Sequence, residues 1–404
     1  MRRDGARALV RVLAAGGLLA ALGGCGTGGD PASPTVTMAG SAATNNAKTA
    51  PPAATPTDPT GGTDIDALLA GMSLEERAGQ LIMAPVEAGS GTASVVQAIK
   101  ERHVGAVLLL GPNWRGADSV STATEAFRAA RSGPVGLWIA ADQEGGQVQR
   151  LVGQDFETIP PALEQGRLEV ADLERQAASW GAQLANVGVN LNLAPVVDTV
   201  DSADRASNAP IGALERDFGL DAAGNAAHAK AFAAGMAAAG VGSALKHFPG
   251  LGRVTGNTDY AAAGITDTVT TASDPAVQAF AEAIEGRPTM VMVALATYSQ
   301  LDAAAPAAFS QAVVTDLLRG QLGWDGVVIS DSLTAEAVSG VAARDRAVRF
   351  IEAGGDLACF GGVADALTAL DGVLSRAASD PDFAALVDAA ARRVLTAKAA
   401  AGLV

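Results

Sequence analysis

The segment KHFPGLGRVTGNTDY, residues 246–260, holds the densest group of side chains that could do chemistry. It starts with Lys246 and His247 directly after an apolar run, and a glycine-containing loop then leads to Asp259. A carboxyl group can give or take a proton near neutral pH when its surroundings raise its pKa. His247 stands where a histidine would hold a ligand rather than protonate it. The chemical question is therefore which residue of this segment moves a proton.

Charged side chains also follow other apolar runs along the chain. In chain order these residues are Asp142, Gln143, Glu144 and Arg150, then Asp198 and Arg216 in the loop after it, then Lys246 and His247, and last Asp331. Carboxylates, a lysine, a histidine and two arginines suit a polar ligand rich in hydroxyl groups, such as a sugar. A structural ion pair is the alternative for any one of them, but four run ends that behave alike favour one shared site.

The apolar runs themselves predict the fold. There are eight of them, separated by Ala-rich stretches with apolar residues at helical spacing, and they cover residues 81–86, 105–111, 135–142, 189–198, 241–248, 289–298, 326–332 and 354–362. Continuous apolar runs are typical of parallel strands covered by helices. Eight of them predict an α/β protein with a TIM-like (β/α)8 barrel as a single catalytic domain over residues 63–404, whose functional residues lie at the carboxyl ends of the strands. A doubly wound sheet is the alternative, although no G-x-G-x-x-G follows the first strand.

The N-terminal residues have the pattern of a targeting signal, and we do not expect them to be part of this fold. Several arginines precede the short apolar run VLAAGGLLAAL, which ends in LGGC at Cys25. This pattern resembles the lipobox of bacterial lipoproteins, so we expect a signal peptide over residues 1–24 and a lipid on Cys25; an ordinary cleaved signal is the alternative. Residues 25–62 are rich in Thr, Pro, Ala and Gly and predict a disordered tether. The expected location is extracytoplasmic, anchored to the outer face of the cell membrane.

Composition and motifs exclude several classes of function. The formal net charge of -15 makes nucleic-acid binding a poor fit. With two cysteines the chain has no disulfide framework, and Cys359 is expected to be a small buried apolar residue. His103, His228 and His247 form no metal-binding motif, and no G-x-S-x-G is present. We predict no metal, no cofactor and no protein partner.

Five motifs in this order resemble glycoside hydrolase family 3: DQEGGQVQRL, NLAPVVD, IGALERDFG, ALKHFPGLG and GVVISDSL. The branch they resemble most is the single-domain β-N-acetylglucosaminidases of the NagZ type, which occur as lipoproteins in actinobacteria. The resemblance covers the chain from about residue 63 to its end. It implies a TIM-like barrel, a carbohydrate substrate and retaining hydrolysis of a β-linked sugar at the non-reducing end, with β-N-acetylglucosamine of cell-wall glycan as the leading candidate.

The resemblance also implies roles for individual residues. Asp331, in VVISDSL, matches the nucleophile that forms a covalent glycosyl-enzyme. Asp142 matches an acid that holds sugar hydroxyl groups. The remaining substrate-binding matches are Arg150, Arg216, Lys246 and His247.

One part of the family pattern is missing. Relatives supply the general acid/base from an Asp–His dyad, whereas this chain has Asn257 and Asp259 at those positions and Leu251 in place of an earlier histidine. In one interpretation Asp259 itself is the acid/base, as in retaining glycosidases that use two carboxyl groups. In the other, Asp259 only caps its loop and the protein is an impaired or non-catalytic glycan-binding lipoprotein.

Overall fold

The structure is a computed structural model that describes residues 64–111 and 114–404. The predicted signal peptide, residues 1–24, the tether, residues 25–62, and the lipidation site at Cys25 lie outside the described residues. Among the helices of the described part, none has both the length and the apolar character needed to cross a membrane.

Eight parallel strands form the central sheet, and each predicted apolar run contains one of them. The strands are β1 (Ile82–Glu87), β2 (Ala106–Leu110), β3 (Trp138–Ala141), β4 (Leu191–Asn192), β5 (Gly242–Phe248), β6 (Met290–Val293), β7 (Val327–Ser330) and β8 (Ala358–Cys359). They neighbour one another in chain order from β1 to β7, and β8 lies beside β1. A parallel bridge between Ile329 and Leu357 joins β7 to β8 and closes the circle. The predicted barrel is confirmed, and the doubly wound alternative is wrong.

Helices pack around the outside of the barrel. They are α1 (Ile65–Ala70), α2 (Leu74–Gly79), α3 (Ala93–Arg102), α4 (Ala117–Ala130), α5 (Ala162–Gln165), α6 (Val170–Asn186), α7 (Ala222–Ala238), α8 (Pro275–Ile284), α9 (Ala343–Glu352), α10 (Val363–Ser379) and α11 (Pro381–Ala400), with a π-helix at Ala312–Gln321 and 3-10 turns at Gly212–Leu214, Ala307–Phe309 and Glu336–Val338. At the start of α2, Ser73 and Glu76 form the two reciprocal hydrogen bonds of a capping box. The barrel strands are almost entirely buried because helices cover their outer side.

Short additional strands shape the loops at the carboxyl ends of the barrel strands. They pair as Trp114–Arg115 with Leu151–Val152, Gln143–Gly145 with Val148–Gln149, and Thr297–Tyr298 with both Thr266–Asp267 and Asp302–Pro306. The hairpin after β3 is held by Gln143, whose Oε1 accepts hydrogen bonds from the backbone N–H groups of Arg150 and Leu151, both at 3.0 Å. The loop after β3 therefore carries Arg150 back to the end of the strand that it left.

A buried lysine of α11 joins the amino ends of three barrel strands. Lys398 has no exposed surface, and its Nζ donates to Gln80 Oε1 at 2.6 Å, to the Gly105 carbonyl at 2.9 Å and to the Gly136 carbonyl at 2.8 Å. These acceptors immediately precede β1, β2 and β3. An ammonium group has three donors, so all of them are used.

We expect Lys398→Met to lower the free energy of unfolding by about 2–4 kcal/mol, because it removes three buried hydrogen bonds and leaves Gln80 Oε1 and the Gly136 carbonyl without a donor among the described residues. Urea denaturation of a soluble form, residues 26–404, would measure the change. Lys100→Met on the exposed side of α3 is the matched control, and we expect it to change stability by less than about 0.5 kcal/mol. Equal effects of the two substitutions would show that the buried hydrogen bonds of Lys398 contribute nothing specific.

Candidate active site

A cavity of about 460 Å³ opens among the loops at the carboxyl ends of the barrel strands. All seven residues that the sequence analysis assigns to catalysis or substrate binding line it, namely Asp142, Arg150, Arg216, Lys246, His247, Asp259 and Asp331. Cavities of this size are typical of small-molecule sites. The fold thus brings together residues that lie up to about 190 positions apart in the sequence, as the end positions 142 and 331 show.

Lys246 lies at the centre of the cavity floor. Its side chain is 2% exposed, and its Nζ lies 2.7 Å from Asp142 Oδ1 and 2.6 Å from Glu144 Oε1. Burial disfavours the charged ammonium, but the two carboxylates outweigh this effect, so the pKa of Lys246 is raised. The ammonium therefore stays charged and holds both carboxylates in fixed positions.

Arg216 forms a bidentate ion pair with Glu144. Its Nε and Nη2 lie 2.9 Å and 2.8 Å from the two carboxylate oxygen atoms of Glu144, and its Nη1 donates to the Pro210 carbonyl at 2.8 Å. Burial alone would raise the pKa of Glu144, yet Arg216 and Lys246 lower it well below its usual range. Glu144 is a permanent anion that binds two cations of the cavity wall together.

His247 is fixed by Asp198, which is itself buried. Asp198 Oδ2 lies 2.7 Å from His247 Nδ1, and Asp198 Oδ1 accepts the His247 backbone N–H at 3.2 Å. The other ring nitrogen, Nε2, lies 3.4 Å from Arg216 Nη2. A proton on Nε2 would face an N–H group of Arg216. The geometry therefore favours an Nε2 that accepts a hydrogen bond from Arg216. Substrate binding by His247 stays a prediction, and the residue lines the cavity.

Arg150 contributes a donor that has no partner among the described residues. Its Nε is buried and makes no hydrogen bond there, and it lies 4.0 Å from Asp142 Oδ2. A buried donor without an acceptor is costly unless a ligand or water satisfies it. Arg150 is among the residues that line the cavity, so this unsatisfied donor belongs to the cavity wall.

Asp331 follows directly after β7 and is half-buried in the cavity wall. Its backbone N–H donates to the Val293 carbonyl at 3.0 Å, which fixes its position beside β6. Its Oδ1 accepts the backbone N–H of Ser332 at 2.7 Å. This arrangement leaves the other carboxylate oxygen without a hydrogen-bond donor among the described residues.

The loop that carries Asp259 is attached on its first side to the loop after β4. Asn208 donates from Nδ2 to the carbonyls of Leu251 and Val254 at 2.7 and 2.8 Å. Asp198 Oδ1 also accepts the Leu251 backbone N–H, at 2.8 Å. At Gly252 a side chain is impossible without movement, because a Cβ would lie 1.8 Å from the Thr199 carbonyl.

The second side of the same loop contacts the segment that follows Asp331. The backbone N–H of Glu336 donates to the Asp259 carbonyl at 3.2 Å, and that of Ala337 donates to the Thr258 carbonyl at 3.1 Å. These bonds connect the backbone of one catalytic candidate to the chain segment that follows the other. Asp259 and Asp331 consequently face the same cavity.

The carboxyl group of Asp259 has the properties of an acid. Although the residue keeps exposed surface at the cavity mouth, partial burial of the carboxyl group and the negative charge of Asp331 raise its pKa to about 6, against opposing effects of Arg216 and His247. The loop-capping role proposed as an alternative belongs to Asn257, whose Oδ1 accepts the Asp259 backbone N–H at 2.9 Å. Within the described part of the chain, no hydrogen bond engages the Asp259 carboxylate.

Two residues, Glu144 and Asp198, have a larger role in the site than the sequence predicts. Glu144 and Asp198 appear in the set at the ends of the apolar runs, but neither was given a binding or catalytic role. The structure shows that each orients a residue of the cavity wall from behind, Glu144 acting on Lys246 and Arg216, and Asp198 acting on His247. Their position beside a strand end was the available signal, and it could not show which carboxylate would face the cavity.

The described residues contain no cluster of three or more His, Cys, Asp or Glu side chains that could hold a metal ion. Cys359 is unpaired and buried at the end of β8, as expected. Burial raises the pKa of its thiol, so it forms an apolar part of the cavity floor.

Comparison with known proteins agrees with this geometry. Residues 73–397 match the Glycosyl hydrolase family 3 N terminal domain. A crystal structure of a β-N-acetylhexosaminidase from Beutenbergia cavernae DSM 12333 is 50% identical in sequence and superimposes with a TM-score of 0.79 over 81% of this chain and 99% of that one. The β-hexosaminidase LpqI of Mycobacterium tuberculosis is 32% identical over 87% of both chains.

The family match spans most of the chain, and it coincides with the barrel and with the segments that line the cavity. The structure of LpqI from Mycobacterium tuberculosis also superimposes, with a TM-score of 0.72 at 28% identity over 83% of this chain and 97% of that one. The chain therefore belongs to glycosyl hydrolase family 3 and is a glycosidase.

Proposed function

We propose that this protein is a retaining β-N-acetylglucosaminidase in which Asp331 is the nucleophile and Asp259 is the general acid/base. The observation that carries the proposal is that two carboxyl groups face one cavity and that Asp331 helps to raise the pKa of Asp259 to about 6. Retaining glycosidases use such a pair, one ionised to attack and one protonated to assist departure.

In the first half of the reaction, an Asp331 carboxylate oxygen forms a bond to the anomeric carbon of the sugar. The bond from that carbon to the glycosidic oxygen breaks as this occurs, and the departing oxygen takes the proton of Asp259. The result is a glycosyl ester on Asp331 and an ionised Asp259. The free oxygen of Asp331, which no described donor engages, is available for this attack.

In the second half, water attacks the anomeric carbon and gives a proton to Asp259. The ester bond to Asp331 breaks, so the sugar leaves with its original β configuration and both carboxyl groups return to their starting states. Every proton and bond is accounted for by these two residues and water. No step requires a metal ion or cofactor.

The cavity floor is suited to hold the sugar that reacts. Asp142, paired with Lys246, can accept hydrogen bonds from hydroxyl groups, while Arg150 and Arg216 present donors. Fixed donors and acceptors orient the anomeric carbon toward Asp331 and lower the entropic cost of the reaction. N-acetylglucosamine is the proposed sugar because the protein from Beutenbergia cavernae, 50% identical to this chain, carries the name β-N-acetylhexosaminidase.

The second candidate is a glycan-binding lipoprotein that has lost its acid. Its basis is the absence of the Asp–His pair of relatives, since Asn257 and Asp259 stand in those positions. The raised pKa of Asp259 and its carboxylate without a described hydrogen bond favour the enzyme instead.

Two β-N-acetylglucosaminides distinguish the candidates, the disaccharide diacetylchitobiose and a dinitrophenyl glycoside. We expect Asp259→Asn in the soluble form, residues 26–404, to lower kcat/KM for the disaccharide about 10²- to 10⁴-fold. The dinitrophenyl substrate should lose less than about tenfold, because its leaving group needs little protonation. Added azide should accelerate the variant on the dinitrophenyl substrate and yield the β-glycosyl azide, since azide needs no base.

Two further variants serve as controls for this comparison. Asp331→Asn should abolish turnover of both substrates, because no ester can form. Glu336→Gln removes one negative charge at the backbone contact with Asp259 and should leave both rates within about twofold of wild type. If wild type cleaves only the dinitrophenyl substrate and Asp259→Asn changes nothing, the acid is missing and the second candidate stands.

The pH profile gives an independent test of the acid. Asp259 must be protonated when the glycosidic bond breaks, so raising the pH through about 6 removes the active form. We expect kcat/KM for diacetylchitobiose to fall above that pH, approaching about tenfold per unit. Measured in the same buffers, the dinitrophenyl glycoside should fall much less steeply. The proposal is wrong if the disaccharide profile stays flat from pH 5 to 8.

The proposal includes the location of the enzyme. A lipid on Cys25, after a signal peptide over residues 1–24, and a tether over residues 25–62 would hold the barrel at the outer face of the membrane, beside the cell-wall glycan. The support is the LGGC pattern at residues 22–25 of the sequence.

Expression of the full chain in an actinobacterial host and phase separation in detergent would test the anchor. We expect wild type to enter the detergent phase and Cys25→Ser to leave it. Cys359→Ser removes the only other cysteine, which is buried in the barrel, and should behave as wild type. Equal partition of wild type and Cys25→Ser would refute lipidation.

A further inference from the structure

Tyr260 has a much larger exposed fraction than any other aromatic residue of the chain. The sequence contains four Trp, two Tyr and ten Phe, all within the described ranges. Tyr260 is 82% exposed, whereas Phe309 is half-buried and the other aromatic side chains are buried. A single exposed aromatic residue is ordinary on a protein surface, but this one lines the cavity that holds the proposed catalytic residues.

The backbone presents the Tyr260 ring at the cavity mouth. Tyr260 N–H donates to the Asn257 carbonyl at 3.1 Å, and Ala261 N–H donates to the same carbonyl at 2.9 Å, so a hydrogen-bonded turn carries the ring. The next four residues, 261–264, are three alanines and a glycine, which are too small to cover it. Tyr260 is among the residues that line the cavity.

Its neighbour in sequence determines which part of a substrate it would meet. Asp259 is the proposed acid, and the acid must reach the glycosidic oxygen. The group on the far side of that oxygen, which departs, must therefore lie beside the loop that carries Asp259. Lys246, near the end of β5, and Asp142, directly after β3, form an ion pair at 2.7 Å within the same cavity, and we expect this polar pair to hold the sugar that stays.

We infer that Tyr260 forms a binding subsite for the leaving group, and that this group is a sugar ring. One face of a β-linked hexose carries several C–H groups, which pack favourably on the electron-rich face of an aromatic ring. The tyrosine hydroxyl at the rim can remain in water while the ring makes this contact. The inference rests on the proposed function and narrows its substrate to β-linked oligosaccharides, as opposed to glycosides with small leaving groups.

The test compares diacetylchitobiose with methyl β-N-acetylglucosaminide. Both leaving groups are alcohols that need protonation, but only the disaccharide presents a second ring. With the soluble form, residues 26–404, we expect Tyr260→Ala to lower kcat/KM for the disaccharide about tenfold, the change that one lost contact of about 1.4 kcal/mol gives. The methyl glycoside should stay within about twofold. Tyr260→Phe and Tyr260→Trp should retain the disaccharide rate.

Each other outcome overturns the subsite. If Tyr260→Ala changes neither substrate, the ring has no role in binding the leaving group. If it lowers both equally, the substitution acts by displacing Asp259, and if Phe fails as Ala does, stacking is not the cause. Wild type that cleaves neither substrate refutes the proposed function itself, and the subsite with it, so the two failures are distinguishable.

Discussion

The ion pairs that Lys246 makes with Asp142 and Glu144 are the interactions on which the active site depends. Lys246 is almost fully buried inside the end of a parallel barrel, where an uncompensated charge would cost several kcal/mol. Two carboxylates at 2.7 and 2.6 Å compensate it, and Glu144 also neutralises Arg216. The packing of these groups leaves little freedom in where the functional groups of Asp142 and Arg216 lie, so the cavity floor is organised before a substrate arrives.

This network also explains why Asp259 has the character of an acid. The buried cations are already paired, Lys246 with two carboxylates and Arg216 with Glu144, and His247 is paired with Asp198. Asp259 has no such close partner, so burial and the charge of Asp331 raise its pKa more strongly than the cations lower it. The division of charge therefore yields one carboxyl group suited to hold a proton beside another suited to attack.

The fold was largely predictable from the sequence, because a strand that is buried on both faces is apolar at nearly every position and so appears as a continuous apolar run. All eight runs contain a barrel strand, yet the run at residues 189–198 forms only the two-residue strand Leu191–Asn192. Residues 194–197 still bond to β5 through their backbone, with a parallel bridge between Val196 and Lys246, although they do not form a regular strand. Hydrophobicity does not distinguish such a segment from a strand, since both are buried.

The positions of the predicted site residues could also be predicted, since each lies near the carboxyl end of a strand or in the loop after it, but their partners could not. Whether Asp142 or Glu144 faces the cavity depends on a hairpin held by Gln143, and no periodicity encodes this. Similarly, the sequence left open whether Asp259 caps its own loop. The structure gives that role to Asn257, whose side chain accepts the N–H two residues on. Asn and Asp can both form this turn, so residue type alone did not show which of the two would do so.

The way the Asp259 loop is attached offers a physical reason why the proposed acid can differ from the Asp–His dyad of the family pattern. Backbone groups make the contact with the segment after Asp331, as Glu336 and Ala337 donate to the carbonyls of Asp259 and Thr258. On the other side, Asn208 binds carbonyls of the loop. None of these bonds uses the side chain at position 259. A loop held by its main chain can exchange one proton-transfer side chain for another without losing its position, provided that the new group has a suitable pKa. The proximity of Asp331 supplies that condition for a carboxyl group, which a histidine would not need.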